Sequence, residues 1–478
     1  MKKEYGVLLP VSSLPSNHGI GDFGINAYKF IDWLKQNNYK IWQILPLNPL
    51  GPGYSPYMSS CSNAFDFRYI NLDLLIEEGL LTKSKVPSFN KTSDRVDFYN
   101  VGIFKDKHLK VAYKNFIKNG GESALKKFKT RNPWVYKYAT FELFKKINND
   151  VSWNKWDEQY INWYDTHTTA PRSMIDDINY IIFLQYIALK QYKRLFSYAK
   201  KQNIKIISDM PFYVGFDSVE CWTNRDQFMF DNNNNQTLVG GVPPDAFSED
   251  GQLWGSPIYN FDKMKENGYQ LLVDRVGYLA SLCDYLRLDH FRAFDTYYVI
   301  PAGNVNARIG EWKVGPRDEF FNCLYKKYPD INLIAEDLGD LFPTVLELRD
   351  RLKLSGMYIV QFNIFQMSQT SNNNLIVYSG THDNETLYGW YLSLKDHEKK
   401  FLMERFNCLE EELFDNIFNF TYNSPSRMTI LPLQDLLKLD NSARMNVPGT
   451  VGYPNFTWKL VDFSFVDKII YPKKWMIR

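Results

Sequence analysis

The 478-residue chain carries 56 basic and 54 acidic residues, a formal net charge of +2. This balance excludes the polyelectrolyte character that favours nucleic acid or an anionic membrane as a partner, so we expect neither. Aromatic residues are plentiful, with 32 Tyr, 34 Phe and 12 Trp. Most such side chains form cores, and their ring faces also suit the apolar faces of sugars or bases.

The N-terminal residues, M-K-K-E-Y-G-V-L-L-P, lack the apolar run of a signal peptide. The sequence also has no stretch of about 18 uncharged apolar residues that could span a bilayer. Its five cysteines are scattered and free of C-x-x-C spacing, which argues against a disulfide framework or a zinc site. Together these features predict a cytoplasmic protein.

Eight short apolar segments recur along the chain, each ending in polar or Gly/Pro-rich residues. They are residues 5–10, 40–47, 204–212, 285–291, 331–338, 355–362, 375–383 and 427–436. Amphipathic helical patterns lie between most of them. Alternating strands and helices predict a parallel sheet, and eight strands predict a (β/α)8 TIM barrel. A doubly wound open sheet is the alternative, because 363–374 is short and polar for a helix.

The spacing of these segments locates two insertions within one catalytic domain spanning 1–478. The second and third segments begin at residues 40 and 204, whereas a βαβ unit needs about 30 residues. The intervening sequence has helical periodicity, which predicts a mainly helical inserted subdomain over 66–170. Residues 217–260 are dense in Gly, Pro and Asn, which predicts a loop insertion, and their D-N-N-N-N-Q run predicts an exposed turn or short hairpin. This second insertion is the candidate lid over the active site.

The segment 285–294, Y-L-R-L-D-H-F-R-A-F, combines apolar strand positions with four ionisable side chains. On a strand Arg287 and Asp289 point to the same face, so Arg287 can hold Asp289 ionised and oriented. A carboxylate nucleophile needs such a neighbour. A purely structural Arg–Asp pair at a strand end is the alternative.

Three more acids stand where predicted barrel strands end, which is where barrel active sites lie. Glu336, in L-I-A-E-D-L-G, follows an apolar strand, and partial burial would raise its pKa and suit a general acid. Its alternative is a helix cap, formed by Glu336 or by Asp337. Asp383, in S-G-T-H-D-N-E-T, has an Asx-turn as its alternative. Asp209, in I-S-D-M-P-F, is as compatible with a structural as with a catalytic role.

Two carboxyl groups about 5 to 5.5 Å apart across a glycosidic bond are the requirement for retaining cleavage. Asp289 and Glu336 end neighbouring strands of the predicted barrel and could meet that spacing. The sequence contains no H-E-x-x-H, G-x-x-x-x-G-K-[ST] or G-x-S-x-G motif, which argues against a metalloprotease, a P-loop protein and an esterase. Of six histidines, only His290 and His382 lie near the acids, so we expect no catalytic metal.

The ordered motifs D-M-P-F-Y-V, R-L-D-H-F-R, A-E-D-L-G and T-H-D-N resemble the four signature regions of the α-amylase superfamily. Further motifs are similar to the 4-α-glucanotransferases of glycoside hydrolase family 77, called amylomaltase or disproportionating enzyme. These are L-P-S-N-H-G-I-G-D-F-G, W-Q-I-L-P-L-N-P-L-G-P, S-P-Y, G-V-P-P-D, G-Q-L-W-G-S-P-I-Y and N-V-P-G-T-V-G-Y-P-N. The resemblance covers nearly the whole chain outside the helical insertion.

The resemblance implies that Asp289 is the nucleophile, Glu336 the acid/base and Asp383 the transition-state stabiliser. It implies a set of substrate-binding residues: Arg287, His290, His382, Tyr57, Asp209, Trp254, Asn384, Ser55 and Phe247. The implied reaction transfers a 1,4-α-glucan segment from a maltodextrin to the 4-hydroxyl of an acceptor glucan or glucose, through a β-glucosyl-enzyme intermediate. The resemblance implies no cofactor and no metal, and the sequence predicts no oligomeric state.

Two alternative functions stay open. After G-V-P-P-D many family members carry Tyr before Phe-Ser, whereas this chain has Ala246. If this loop admits water, the protein is an α-glucan hydrolase on the same scaffold. The other alternative is a non-catalytic glucan-binding protein that kept the fold. The presence of all three acids and Arg287 argues against it, because binding alone needs no acid/base.

Overall fold

The computed structural model describes residues 3–167, 170–244, 248–366, 374–469 and 471–472. Ala246 and Phe247, singled out above, lie outside these ranges. Within the ranges, each helix is too short or too polar to cross a bilayer.

A closed barrel of parallel strands forms the centre of the molecule. Eight of the strands in the described residues form this barrel. The strands are β1 (Glu4–Leu8), β2 (Ile41–Gln43), β3 (Lys205–Met210), β4 (Leu238–Val242), β5 (Gln252–Pro257), β6 (Tyr285–Leu288), β7 (Thr296–Pro301), β8 (Glu311–Val314), β9 (Leu333–Ala335), β10 (Gly356–Ile359), β11 (Leu375–Tyr378) and β12 (Met428–Pro432). One parallel sheet has the order β10-β11-β12-β1-β2-β3-β6-β9, and a parallel bridge between Ile334 and Ser355 joins its two ends. Each predicted apolar segment overlaps one strand of this sheet. The predicted (β/α)8 barrel is confirmed and the open-sheet alternative is wrong.

Alternation along the barrel strands separates an inner from an outer core. The inner cluster consists of Leu8, Ile41, Ile207, Ile334, Met357, Ile359, Ile376, Tyr378, Met428 and Ile430. In strand β6, Tyr285 packs against this cluster, whereas Leu286 and Leu288 belong to the outer cluster. Arg287, between them, therefore faces the barrel interior. A cation buried there requires anionic partners.

Helices fill the connections between the barrel strands. They are α1 (Ile25–Gln36), α2 (Leu72–Glu77), α3 (Phe98–Lys118), α4 (Glu122–Arg131), α5 (Trp134–Ile147), α6 (Glu158–Ile161), α7 (Trp163–Thr166), α8 (Ile175–Lys201), α9 (Val219–Thr223), α10 (Phe261–Glu266), α11 (Gln270–Ala280), α12 (Arg317–Lys327), α13 (Pro343–Arg351), α14 (Val360–Asn363), α15 (Leu387–Ser393), α16 (Asp396–Phe406), α17 (Glu410–Tyr422) and α18 (Leu433–Leu436). Helices α2 to α7 lie in the long connection between β2 and β3, and α8 leads from it back to the barrel.

Helix α8 fastens the β2–β3 connection to the barrel. Its buried Gln185 side chain binds both the N–H and the carbonyl of Phe65, each at 2.8 Å. Gln191, also buried, binds the N–H of Asn71 at 2.8 Å and its carbonyl at 3.1 Å. Buried backbone groups need such partners. The chain that enters the helical region is therefore held against α8 at two points.

A second sheet contains four antiparallel strands in the order β5-β4-β7-β8. In the chain these strands fall between barrel strands β3 and β9. Strands β4 and β5 form a hairpin within 217–260 that was not predicted. Strands β7 and β8 were not predicted, and they pair with this hairpin. An isolated hairpin is marginally stable, so the pairing of β4 with β7, and of β7 with β8, stabilises the β4–β5 hairpin. The predicted Asn-rich turn precedes β4, where Asp231 accepts the N–H groups of Asn233 and Asn235 at 2.8 Å.

Candidate active site

Four acidic side chains lie at the carboxyl ends of the barrel strands. Asp209 belongs to β3, Asp289 follows β6, Glu336 follows β9 and Asp383 lies beyond the end of β11. Backbone pairing continues past the strand ends, because Asp289 N–H donates to the Met210 carbonyl at 3.0 Å. Glu336 N–H donates in the same way to the carbonyl of Leu288 at 3.1 Å. The barrel itself therefore fixes the backbone of these acids.

The turn after Asp289 holds Glu336. His290 adopts the left-handed conformation, with φ 51°, and its N–H donates to Glu336 Oε2 at 2.7 Å. The next N–H, of Phe291, donates to the Glu336 carbonyl at 3.1 Å. Backbone conformations of this kind persist where the surroundings over-determine them, and they cluster at active sites. Asp289 and Glu336 are thus placed by one connected piece of backbone.

Arg287 bridges two carboxylates from inside the barrel. Its Nη1 lies 2.6 Å from Asp209 Oδ2 and 3.0 Å from Asp289 Oδ1. The exposed side-chain fractions are 3% for Arg287 and 1% for Asp209, but 27% for Asp289. Asp289 is therefore the member of this group that a ligand in the cleft can reach. Asp209 and Arg287 lie beneath it and fix its position.

A hydrogen-bonded chain extends this arrangement to the β11 loop. Tyr57 Oη donates to Asp209 Oδ2 at 2.8 Å and lies 2.8 Å from His382 Nε2. Burial raises the pKa of Tyr57 well above its usual range and lowers that of His382, so the phenol stays protonated and the imidazole neutral. Because the phenol proton points to a carboxylate, His382 Nε2 carries the hydrogen that Tyr57 Oη accepts. Ser55 Oγ accepts the Tyr57 N–H at 3.2 Å and shapes the turn that presents the phenol.

The two central carboxyl groups differ in their electrostatic surroundings. Burial raises the pKa of Asp289 to about 7, against the opposing effect of the Arg287 guanidinium. Burial also raises the pKa of Glu336 well above its usual range, and the neighbouring Asp289 charge adds to this. The two groups titrate as a pair. Asp289, bonded directly to Arg287, ionises first, and Glu336 keeps its proton.

Aromatic side chains stand above the end of β6. Trp254 of β5 meets His290 edge to face, with 4.8 Å between the ring centroids. The Tyr213 ring lies 6.3 Å from Trp254 and 6.5 Å from His290. Burial and the neighbouring Arg292 lower the pKa of His290 to about 3, so its imidazole is neutral at physiological pH. Tyr213 was not predicted as a site residue, although the motif D-M-P-F-Y-V contains it.

Asp383 is held by residues from a distant part of the chain. Asn446 Nδ2 donates to Asp383 Oδ1 at 2.7 Å, and Arg444 Nη2 donates to the Asp383 carbonyl at 2.8 Å. Its Oδ2 lies 3.3 Å from His382 Nε2, and 39% of its side chain is exposed to the cleft. Asn446 was not predicted as a site residue, although the motif N-V-P-G-T-V-G-Y-P-N contains it. Asn384 stabilises the turn of this loop, because its Oδ1 accepts hydrogen bonds from the N–H and the hydroxyl of Thr381.

Of the predicted site residues, the structure brings together the three acids with Arg287, His290, His382, Tyr57, Asp209 and Trp254. Ser55 and Asn384 shape neighbouring turns. Phe247 lies outside the described residues. Within the described part of the chain, no group of three or more His, Cys, Asp or Glu side chains is arranged to hold a metal ion.

Residues 9–463 match the family described as 4-alpha-glucanotransferase. The chain belongs to this family. The 4-alpha-glucanotransferase of Clostridium butyricum is 37% identical over 472 residues, which cover 96% of both chains. The 4-alpha-glucanotransferase of Streptococcus pneumoniae serotype 4 is 35% identical over 474 residues, covering 96% of this chain and 94% of the relative.

Solved structures agree with membership of the 4-alpha-glucanotransferase family. Amylomaltase from Streptococcus agalactiae in complex with acarbose is 34% identical, with a TM-score of 0.90 over 96% of this chain and 95% of that one. Amylomaltase from Corynebacterium glutamicum shares the fold, with a TM-score of 0.75 at 17% identity over 96% of this chain and 72% of that one. The resemblance inferred from the motifs is confirmed. As a member of this family, the chain is an enzyme that acts on α-1,4-glucans.

Proposed function

We propose that this 4-α-glucanotransferase moves a glucan segment from a donor maltodextrin to the 4-hydroxyl of an acceptor glucan or glucose by a retaining double displacement. One observation carries the mechanism: Asp289 is bonded to Arg287, which favours its charged form, while the His290 N–H holds Glu336, whose pKa is raised well above its usual range by burial. A nucleophile and an acid with separated titrations are what the two half-reactions require.

In the first half-reaction the scissile bond of the donor breaks. Arg287 binds Asp289 Oδ1, which leaves Oδ2 to attack the anomeric carbon. The His290 N–H binds Glu336 Oε2, which leaves Oε1 to deliver its proton to the departing 4-oxygen. The products are a β-glucosyl ester on Asp289, a shortened glucan and an ionised Glu336.

In the second half-reaction the glucosyl group moves to the acceptor. The Glu336 carboxylate takes the proton of the acceptor 4-hydroxyl, and the acceptor oxygen attacks the anomeric carbon. The ester bond breaks and Asp289 leaves as a carboxylate. Two inversions give net retention, and Glu336 has regained its proton. The number of glycosidic bonds is unchanged.

Asp383 is proposed as the group that stabilises the transition state through the sugar hydroxyls. Its exposed carboxylate, oriented by Asn446, supports this role. Buried polar atoms around the cleft also suit a polyhydroxyl ligand, because they lack a hydrogen-bond partner within the described residues. These atoms are Tyr213 Oη, His290 Nε2 and His382 Nδ1. Buried groups of this kind are normally satisfied by a ligand or by water.

Transfer rather than hydrolysis requires that water be excluded while the intermediate waits for an acceptor. The 217–260 insertion is proposed as the cover, and Trp254 on β5, in contact with His290, supports this placement. We further propose that the chain is one catalytic domain and that 66–170 is a helical insertion in it. The packing of α8 against the entry to that region supports a single unit.

Maltodextrins serve as donors, and glucose or a glucan serves as acceptor. Nucleic acid and membranes are not partners, in keeping with the charge balance of 56 basic and 54 acidic residues. A cytoplasmic location is supported by the five free thiols, since reducing compartments keep cysteines in this form.

Incubation of the purified protein with maltotriose tests the proposal. We expect longer maltodextrins to appear together with glucose while the total of reducing ends stays constant. Asp289→Asn, which keeps the shape of the side chain, should retain the fold and lose kcat by on the order of 10⁴-fold or more. Rising reducing ends without longer products would identify a hydrolase. Turnover of maltotriose by Asp289→Asn at a rate comparable to the wild type would remove the assigned nucleophile.

A further inference from the structure

A buried carboxylate outside the cleft, Asp435, holds both ends of the loop that carries Asp383. Asp435 lies in α18, directly after β12, and none of its surface is exposed. Its Oδ2 accepts the Ser379 hydroxyl at 2.6 Å, at the start of the loop. Its Oδ1 accepts the Leu387 N–H at 2.8 Å, where the loop ends and α15 begins. One side chain thus ties the two ends of residues 379–387 together.

The residues that follow Asp435 complete a cradle for this loop. Asn441 Oδ1 accepts the Thr386 N–H at 3.2 Å, and its Nδ2 donates to Glu385 at 2.6 Å. Arg444 and Asn446 hold Asp383 itself, as described above. These contacts attach single points of the loop, whereas Asp435 spans it from end to end.

We propose that Asp435 is a positioning residue that sets the place of Asp383 in the cleft. It is too deeply buried to touch the glucan and acts through the loop alone. The inference rests on the proposed role of Asp383 in transfer. Displacement of a stabilising group by about 1 Å can cost on the order of 100-fold in rate. Loss of the Asp435 contacts should therefore affect the chemical step more than ground-state binding.

Asparagine is the informative conservative substitution at this position. A carboxylate accepts from both Ser379 and Leu387, and a neutral acid can accept from Leu387 while donating to the Ser379 oxygen. Burial raises the pKa of Asp435 to about 7, so both forms are accessible. The asparagine side chain reproduces the neutral form, whereas alanine removes both contacts. If asparagine restores kcat, the hydrogen bonds to Ser379 and Leu387 are required and the negative charge of Asp435 is not.

The test measures kcat and KM for maltotriose disproportionation together with thermal unfolding. Asp435→Ala should lower kcat ~100-fold with KM within about threefold of the wild type, a pattern that marks an interaction made in the transition state. Asp435→Asn should restore kcat to within about tenfold of the wild type. Ser379→Ala, which removes one contact and keeps the carboxylate, should show a smaller fall. Gln191→Ala, which breaks buried backbone contacts far from the loop, should lower the melting temperature and leave kcat unchanged.

A double variant decides whether Asp435 acts through Asp383. Since the two effects share one cause, Asp383→Asn/Asp435→Ala should be no slower than Asp383→Asn alone. The positioning proposal would be overturned if the loss of kcat in the double variant equalled the product of the two single losses. Wild-type kcat in Asp435→Ala would overturn it as well. If Asp435→Ala fails to fold, unchanged kcat in Ser379→Ala has the same meaning. Wild-type activity in Asp383→Asn would instead overturn the role of Asp383 on which the inference rests.

Discussion

At the scale of single residues, the site depends on one guanidinium shared by two carboxylates. Arg287 faces the barrel interior from β6, in register with Asp209 of β3 and Ile334 of β9. Its contacts with Asp209 and Asp289 give this buried cation the partners that it needs. The same contact with Asp289 lowers the pKa of that carboxyl relative to burial alone. The residue that orients the nucleophile therefore also sets its ionisation.

The pH dependence of kcat/KM reports this coupling. On the acid side, activity should rise with pH as Asp289 ionises, with a midpoint near its pKa of about 7. On the alkaline side, activity should fall as Glu336 loses its proton, at a pKa well above the usual glutamate range. Arg287→Met removes the effect that lowers the Asp289 pKa, so the acid limb should move to higher pH. Arg287→Lys keeps a positive charge and should move it less.

The control for the pH profile is Arg351→Met, which breaks an exposed ion pair with Asp318 on the outside of the barrel. In this variant, the acid and alkaline midpoints of the pH profile of kcat/KM should equal those of the wild type. An acid limb that does not move in Arg287→Met would contradict the assignment of that limb to Asp289.

The sequence predicted contacts between near neighbours better than contacts across the chain. Arg287 and Asp289 are two positions apart, so strand alternation places them on one face. Arg444 and Asn446 reach Asp383 across 61 and 63 residues, a relation that no local pattern contains. The same limit applies to the position of Asp209. Its burial beneath Arg287 and Tyr57 depends on strand order in the closed barrel.

At the scale of elements, the barrel was predictable because parallel strands buried on both faces read as continuous apolar runs. The second sheet was predictable only in part. Residues 296–301, T-Y-Y-V-I-P, form an equally apolar run, but a run does not tell which sheet a strand joins. In the structure this run is β7, which pairs with β4 and β8 outside the barrel. That pairing brings Trp254 to His290.

The β4–β5 hairpin should act on both binding and water exclusion. Trp254→Ala should lower kcat/KM for transfer by at least about tenfold, equivalent to about 1.4 kcal/mol of transition-state binding. It should also raise the fraction of turnovers that end in hydrolysis, because the ring covers the cleft beside His290. Initial rates at several maltotriose concentrations give kcat/KM, and the ratio of glucose to longer products gives the hydrolysed fraction.

Leu253→Ala is the matched control for Trp254→Ala. Leu253 precedes Trp254 on β5, points to the opposite face and is 38% exposed. We expect unchanged transfer and hydrolysis in this variant. An equal effect of both substitutions would assign the loss to the hairpin fold rather than to the Trp254 ring.

At the scale of the whole molecule, the helical region between β2 and β3 is joined to the barrel by buried polar contacts. Lys105 of α3 is fully buried, and its Nζ lies 3.1 Å from Asp22 Oδ2. The same nitrogen donates to the carbonyls of Arg68 and Ile70. One cation thus links α3 to the turn before α1 and to the chain that enters the helical region.

Removal of the Lys105 cation tests how strongly its contacts stabilise the attachment of the helical region to the barrel. Lys105→Ala removes the cation that pairs with the buried Asp22 carboxylate, and it should lower the free energy of unfolding by about 3–5 kcal/mol. Lys110→Ala, on the same helix, breaks an exposed pair with Asp106 and should cost at most about 1 kcal/mol. Denaturant unfolding measures both. Equal and small effects would contradict a structural role for the buried pair.

The central claim is that Asp289 forms a covalent bond to the glucan while Glu336 serves as acid and base. Trapping of the intermediate tests it most directly. Glu336→Gln removes the proton donor and the later base, and α-maltotriosyl fluoride carries a leaving group that departs without protonation. Mass spectrometry of the digested protein should then show one added maltotriosyl group on the peptide that contains Asp289. A maltotriosyl group on another peptide, or consumption of the fluoride with inversion and no adduct, would contradict the account.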